Sequence, residues 1–219
     1  MISSVDGAAA LDGRTAGLAG PADRALFSAL RSLTDVVLVG ASTARAEHYG
    51  PARLSADLRA RRESAGWRPV PRIVVLTRTC DLDLQSKLFT EAEERTIVIT
   101  SERAAATHRE RLDPVADLFT AGEEEVSMDA AMATLGALGI TSVLAEGGPS
   151  VLAQLVAADL VDELCLTLAP MMVPAPVERI VAPASIGAAV PLELVHVLVG
   201  DENEGGYLFL RYGRRRQPS

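Results

Sequence analysis

Three short runs in this chain contain no polar residue: Val36-Val37-Leu38-Val39, Ile73-Val74-Val75-Leu76 and Ile97-Val98-Ile99. A half-exposed strand alternates apolar and polar side chains, so a short unbroken apolar run reads as a strand covered on both faces. Strands of that kind belong to parallel sheets layered with helices, and the stretches between the runs supply the helices. Pro21 suits a first helical position, and Leu26, Leu30 and Leu33 then fall on one face. Residues 54–62 read as a charged surface helix, and a short helix fits around Thr107 in the polar region 102–125. Ser127 is placed to cap a helix whose Met128, Ala131, Met132, Leu135 and Leu138 form a core stripe. Later, residues 163–168, 192–199 and 207–212 read as strands, the last two joined by the turn-rich segment 200–206 into a hairpin. The expected fold is α/β: one domain over residues 1–219, with a mixed, mostly parallel central sheet, flanking helices and a C-terminal antiparallel hairpin. Residues 213–219 are expected to be a flexible tail. Met1, Ile2 and Val5 read as a strand entered midway, which places the expected translation start upstream. Asp6-Gly7 and Asp12-Gly13 are turn pairs.

Residues 141–155 pass from strand to tight turn to helix. Val143–Ala145 is apolar, Gly147 and Gly148 let the backbone turn close to a ligand, and Pro149 opens a helix. Val151, Leu152, Leu155, Val156 and Leu160 give that helix one buried stripe, and its free first-turn amides and dipole favour an anion such as phosphate. Glu146 stands at the strand's C-terminal end, where ligands of open α/β sheets bind. A second corner follows Val39: Gly40 ends the strand, and Ser42, Thr43 and Arg45 add donors suited to phosphate oxygens. Each corner also has a plain structural reading, as an ordinary connection or, for Ser42 and Thr43, as a helix cap.

Net charge narrows the partners. At -8 the chain lacks the basic face that nucleic-acid phosphates require, and Arg214-Arg215-Arg216 reads as a solvated end. No apolar run reaches the roughly 18 residues of a membrane helix. Cys80 and Cys165 stand alone without metal-ligand spacing, so neither disulfide nor zinc is expected, and a reducing cytosol is the default. His48, His108 and His196 fall in no pattern that assigns them chemistry.

With these residues identified, the chain resembles the riboflavin-biosynthesis pyrimidine reductase family, whose fold is dihydrofolate reductase-like. The resemblance is carried by Ser4-Val5-Asp6-Gly7, Gly20-Pro21 with Arg31, the segment from Val39 to Glu47, Glu146-Gly147-Gly148-Pro149-Ser150, Leu160-Val161-Asp162-Glu163-Leu164 and Leu208-Phe209-Leu210-Arg211-Tyr212. Their order and spacing span nearly the whole chain. The resemblance implies a cytoplasmic, homodimeric, NADPH-dependent oxidoreductase. Its substrate would be a 5-amino-6-(5-phosphoribosylamino)uracil-like pyrimidine, whose ribose is reduced to a ribityl chain by hydride delivery to C1′ of the opened imine form. It implies catalytic roles for Glu146 and Asp6. It places Ile2, Gly40, Ala41, Ser42, Thr43, Arg45, Glu47, Thr77, Gly147, Gly148, Pro149, Ser150, Val151, Leu152 and Gln154 at the cofactor. Ser4, Thr15, Arg31 and Glu146 would meet the substrate, and no metal is implied. The His-x-Glu and Pro-Cys-x-x-Cys zinc motif of the deaminase half of bifunctional relatives does not occur, so a reductase alone is expected. Two other readings stand beside it: a same-fold reductase of a dihydropterin or dihydrofolate, and a dinucleotide-binding protein without turnover.

Overall fold

In the computed structural model, which describes residues 1–11, 13–174, 178–183, 189–201 and 205–215, the chain gathers into two compact units. One is Phe27–Gly147; the other joins Met1–Leu26 to Gly148–Ser219.

The first unit is built on the three apolar runs. They become β2 (Val36–Gly40), β3 (Arg72–Leu76) and β4 (Thr96–Thr100), and every residue except Arg72 is buried. Fully burying a Val, Leu or Ile contributes about 1.5–3 kcal/mol, so these strands form the stable centre. β5 (Ala116–Thr120) and β6 (Val143–Ala145) complete a five-stranded, wholly parallel sheet of order β5-β4-β3-β2-β6. Helices fill the crossovers: α2 (Ala41–Ala46), α3 (Ala56–Ser64), α4 (Lys87–Thr90), α5 (Glu102–Leu112) and α6 (Met128–Ala137). Ser55, Ser101 and Ser127 cap α3, α5 and α6 through their side-chain oxygens, the last as expected.

The second unit carries a mixed sheet of order β1-β7-β9-β8. β1 (Ile2–Ser4) runs parallel to β7 (Glu163–Ala169), and β9 (Leu208–Arg214) pairs antiparallel with both β7 and β8 (Leu192–Val199). The expected hairpin is therefore present. Ala8, Leu18, Ala169, Val173, Tyr207 and Phe209 form a small core, and the Tyr207 hydroxyl donates to the Leu18 carbonyl at 2.8 Å. The chain passes between the units within α1 (Pro21–Ser32) and again between Gly147 and Gly148.

Several expectations are corrected. Val5 is 66% exposed and lies beyond β1, while Leu33 and Leu138, assigned to core stripes, are 65% and 44% exposed just past their helices. α3 is not wholly a surface helix. Arg62 is 3% exposed, donates to the carbonyls of Ser32, Thr34 and Arg68, and lies against the Trp67 ring. In the region read as polar, α5 is three turns long and β5 follows it. β5 was illegible because Asp117 interrupts its apolar residues; the carboxylate faces Arg72 and Arg95. At the C-terminus β9 continues through Gly213 and Arg214, paired with β7 and β8, where a tail was expected to begin. Residues 216–219 of that expected tail, Asp12 of the second turn pair, 202–204 of the hairpin turn, and 175–177 and 184–188 of the connection before β8 lie outside the described residues.

Candidate active site

Sheet order locates the site in the first unit. From β2 the chain crosses to β3, β4 and β5 on one side, whereas β6 lies on the other side of β2. The carboxyl ends of β2 and β6 thus flank a topological switch point, the position at which open α/β sheets bind ligands. Gly40 and Gly147, one glycine from each corner, are here. The Glu146 amide donates to the Leu38 carbonyl at 2.9 Å and the Gly40 amide to the Gly147 carbonyl at 2.8 Å, so the pairing of β2 with β6 continues into the two turns. Gly147 has φ 93°, a left-handed conformation that favours glycine.

Glu146 is the best-held side chain at this edge, with its side chain 2% exposed. Arg31 meets it as a two-pronged fork, Nε to Oε1 and Nη2 to Oε2, each at 2.6 Å. The Tyr49 hydroxyl donates to Oε2 at 2.7 Å. The Arg31 guanidinium also lies 4.5 Å from the centroid of the Phe27 ring and 5.8 Å from that of Tyr49. Burial pulls the Arg31 pKa down, but the hydrogen bonds and charge of Glu146 outweigh it, and the net shift is upward. Burial, reinforced by the negative Glu146, pushes the Tyr49 phenol far above its ordinary value, so it remains a neutral donor. Arg31 and Glu146, both expected at the substrate, are therefore brought together, but their charges face each other.

Sequence reasoning missed Tyr49. The neighbouring His48, to which the sequence assigned no chemistry, adopts φ 51° where the chain turns after α2. The available signal was one of only three tyrosines in the chain, two residues past Glu47; a buried phenol needs a hydrogen-bond partner.

The remaining residues of this unit expected at the cofactor lie along the same edge. Gly40 and Ala41 are buried at the start of α2, Ser42 is exposed, and Thr43 and Glu47 are half-buried. Arg45 donates to the Asp81 carbonyl, and its guanidinium stands 3.4 Å from the Asp81 carboxylate. Thr77 is 5% exposed, and its hydroxyl oxygen accepts the Cys80 amide at 3.0 Å, which makes it a turn residue.

The other expected residues belong to the second unit. Ser4 is fully buried; its hydroxyl accepts the Ala8 amide at 2.9 Å and donates to Asp6. Expected at the substrate, the Ser4 hydroxyl is here engaged within its own loop. Asp6 is exposed, and its carboxylate also accepts the Val173 amide at 3.1 and 3.2 Å. The Ser4 and Val173 bonds hold its pKa below the ordinary carboxylate value, so it is an anchored anion, unsuited to proton delivery near neutral pH. Ile2 lies half-buried in β1, and Thr15 is exposed at the start of a single 3-10 turn, Thr15–Gly17. Gly148 and Pro149 open α7 (Pro149–Ala157) with no side-chain cap. The Gly148 carbonyl accepts the amides of Val151 and Leu152, whose side chains are buried, so these two are helix residues. Gln154 is exposed and its Nε2 donates to the Ser150 carbonyl at 3.2 Å. Among the described residues no cluster of His, Cys, Asp and Glu suits a metal, and no helix is long and apolar enough to cross a membrane.

Comparison with known proteins gives the family. The RibD C-terminal domain model matches residues 1–203. The chain belongs to the RibD C-terminal domain family. Among members and neighbours, it is 29% identical over 151 residues to the 2,5-diamino-6-ribosylamino-4(3H)-pyrimidinone 5′-phosphate reductase of Archaeoglobus fulgidus, covering 69% of this chain and 68% of that one. The crystal structure of a pyrimidine reductase-like protein from Corynebacterium diphtheriae superposes with a TM-score of 0.87 at 29% identity, over 99% of this chain and 90% of that one. Dihydrofolate reductase from Enterococcus faecalis, complexed with NADP(H), shares the fold at a TM-score of 0.51 and 17% identity, over 98% and 94% of the two chains. The RibD C-terminal domain thus joins a reductase family to a dihydrofolate reductase-like fold.

Proposed function

We propose that this RibD C-terminal domain protein is an NADPH-dependent reductase of a phosphorylated ribosylamino-pyrimidine, turning the ribose into a ribityl chain. The observation that carries the reading is the Arg31–Glu146–Tyr49 cluster at the switch point, beside the Gly40 and Gly147 corners. When bound, the nicotinamide cofactor supplies the hydride. The chain's own residues bind and orient. In the first unit Ser42, Thr43 and Arg45 offer hydroxyls and a cation, groups chemically suited to a dinucleotide phosphate. Arg31 supplies positive charge for the substrate's phosphate. Glu146 provides the carboxylate that fixes Arg31. Alignment of two reactants accounts for most of what such a site must do.

The expectation from sequence was a uracil-type pyrimidine, whereas the Archaeoglobus fulgidus relative is named for a diamino-pyrimidinone. Both share the phosphoribosylamino group that the proposal requires. The family match runs through both compact units, which supports reading the chain as one reductase domain. A homodimer is part of the proposal. β8 is an edge strand exposed along its whole length, with Leu194, Val195, Leu198 and Val199 each at least 50% exposed, and a second copy is its proposed cover. A cytoplasmic location fits the free Cys80 and Cys165. The reading is tested by following NADPH consumption with phosphorylated and dephosphorylated ribosylamino-pyrimidines and with dihydrofolate.

A further inference from the structure

The Glu146 carboxylate is enclosed on two sides by groups from separate elements. Arg31 comes from the last turn of α1, and Tyr49 from the turn after α2. Oε1 accepts the Arg31 Nε alone, whereas Oε2 accepts both Arg31 Nη2 and the Tyr49 hydroxyl. A carboxylate gripped by one guanidinium fork can still swing with it as a unit, since two parallel bonds fix the pair to each other but not to the protein. The Tyr49 bond removes that freedom. Its own ring is fixed in turn: the left-handed His48 directs it inward, its amide donates to the Ala44 carbonyl at 2.9 Å, and the ring packs on the buried cluster that includes Val39, Ala44 and Val75. The same ring faces the Arg31 guanidinium, so one side chain restrains both members of the pair.

We propose that Tyr49 is a positioning residue of the active site: its hydroxyl locks the Glu146 carboxylate to the sheet edge and thereby aims Arg31 at the substrate phosphate. The inference rests on the proposed reductase function for its substrate arm alone. Tyr49→Phe keeps the ring and its packing and deletes one hydrogen bond to a charged group. In the variant, the KM for the phosphorylated pyrimidine is expected to rise about tenfold, with kcat and the KM for NADPH changed less than about twofold. Solvent exchange of the Arg31 Nε proton, read by NMR in the ligand-free protein, is expected to accelerate about tenfold. A residue that merely filled space would move neither reading, because the ring is retained. Unchanged Arg31 exchange overturns the positioning role whatever the catalytic result. An inactive wild type counts against the proposed function, and the exchange result then still decides on Tyr49. A further reading needs no variant: the Tyr49 hydroxyl proton of the wild type is expected to be NMR-visible and slow to exchange, and a fast-exchanging hydroxyl overturns the proposal.

Discussion

Removing the Glu146 carboxylate would leave the Arg31 cation in a half-enclosed site between two aromatic rings with its fork empty. Breaking a buried pair from one side costs about 3–5 kcal/mol, because the remaining charge stays desolvated. Arg31 retains 18% exposure of its side chain and recovers part of that by hydration. Glu146→Ala is therefore expected to destabilise the protein by about 2–3 kcal/mol, measured as a lowered urea midpoint at unchanged m. A loss below about 0.5 kcal/mol would mean that the pair is solvated and that the enclosure described here is not maintained in solution. At this scale the sequence was informative about which residues matter and less so about what they touch. Arg31 and Glu146 were both singled out, but their spacing of 115 residues says nothing of a contact, and two opposite charges each expected at the substrate turned out to satisfy one another. Ser4 and Asp6 likewise stood in a recognisable phrase, yet their bonds to Ala8 and Val173 tie a loop. A motif records identity; whether a polar atom is free for a ligand depends on partners that come from elsewhere in the chain.

Elements were legible where a single physical cause produced them. β2, β3 and β4 followed from unbroken apolar runs, and α6 and α7 from a stripe at helical spacing behind Ser127 and Pro149. β5 and α4 were not, because α4 has only four residues and β5 is an edge strand that carries the ion-paired Asp117 among its apolar residues. The connection from β5 to α6 shows what holds such an edge in register. Gly122 adopts φ 103°, its carbonyl accepts the Glu102 amide at 2.9 Å, and a Cβ there would stand 2.3 Å from the Glu125 carbonyl oxygen. No flexible side chain can yield to that contact, since the opposing atom is backbone. Gly122→Ala is expected to cost about 2 kcal/mol or more, from left-handed strain and the clash together, read from the same unfolding measurement. A midpoint equal to wild type would show that this turn is not formed as described.

The whole molecule adds what neither a residue nor an element can show. The position of β6 beside β2, on the side away from β3, creates the switch point, and no local pattern in residues 143–145 encodes that neighbour. Division of the chain into two compact units was also invisible, because the units interleave in sequence and no linker marks them. The exposed edge strand β8 makes a prediction at this scale. Sedimentation at micromolar concentration is expected to show a dimer, and Leu194→Glu with Leu198→Glu is expected to convert it to monomer without loss of helix signal, by placing like charges on an apolar contact. A wild type that sediments as monomer would refute the dimer. Substrate-dependent NADPH consumption by the purified wild-type protein reads the proposed reaction itself. Turnover is expected with the phosphorylated ribosylamino-pyrimidine, with a kcat/KM lower by about tenfold or more for the dephosphorylated compound, from loss of a charge-assisted contact to Arg31, and no turnover with dihydrofolate. Turnover of dihydrofolate with no response to the phosphorylated pyrimidine would contradict the proposed reaction.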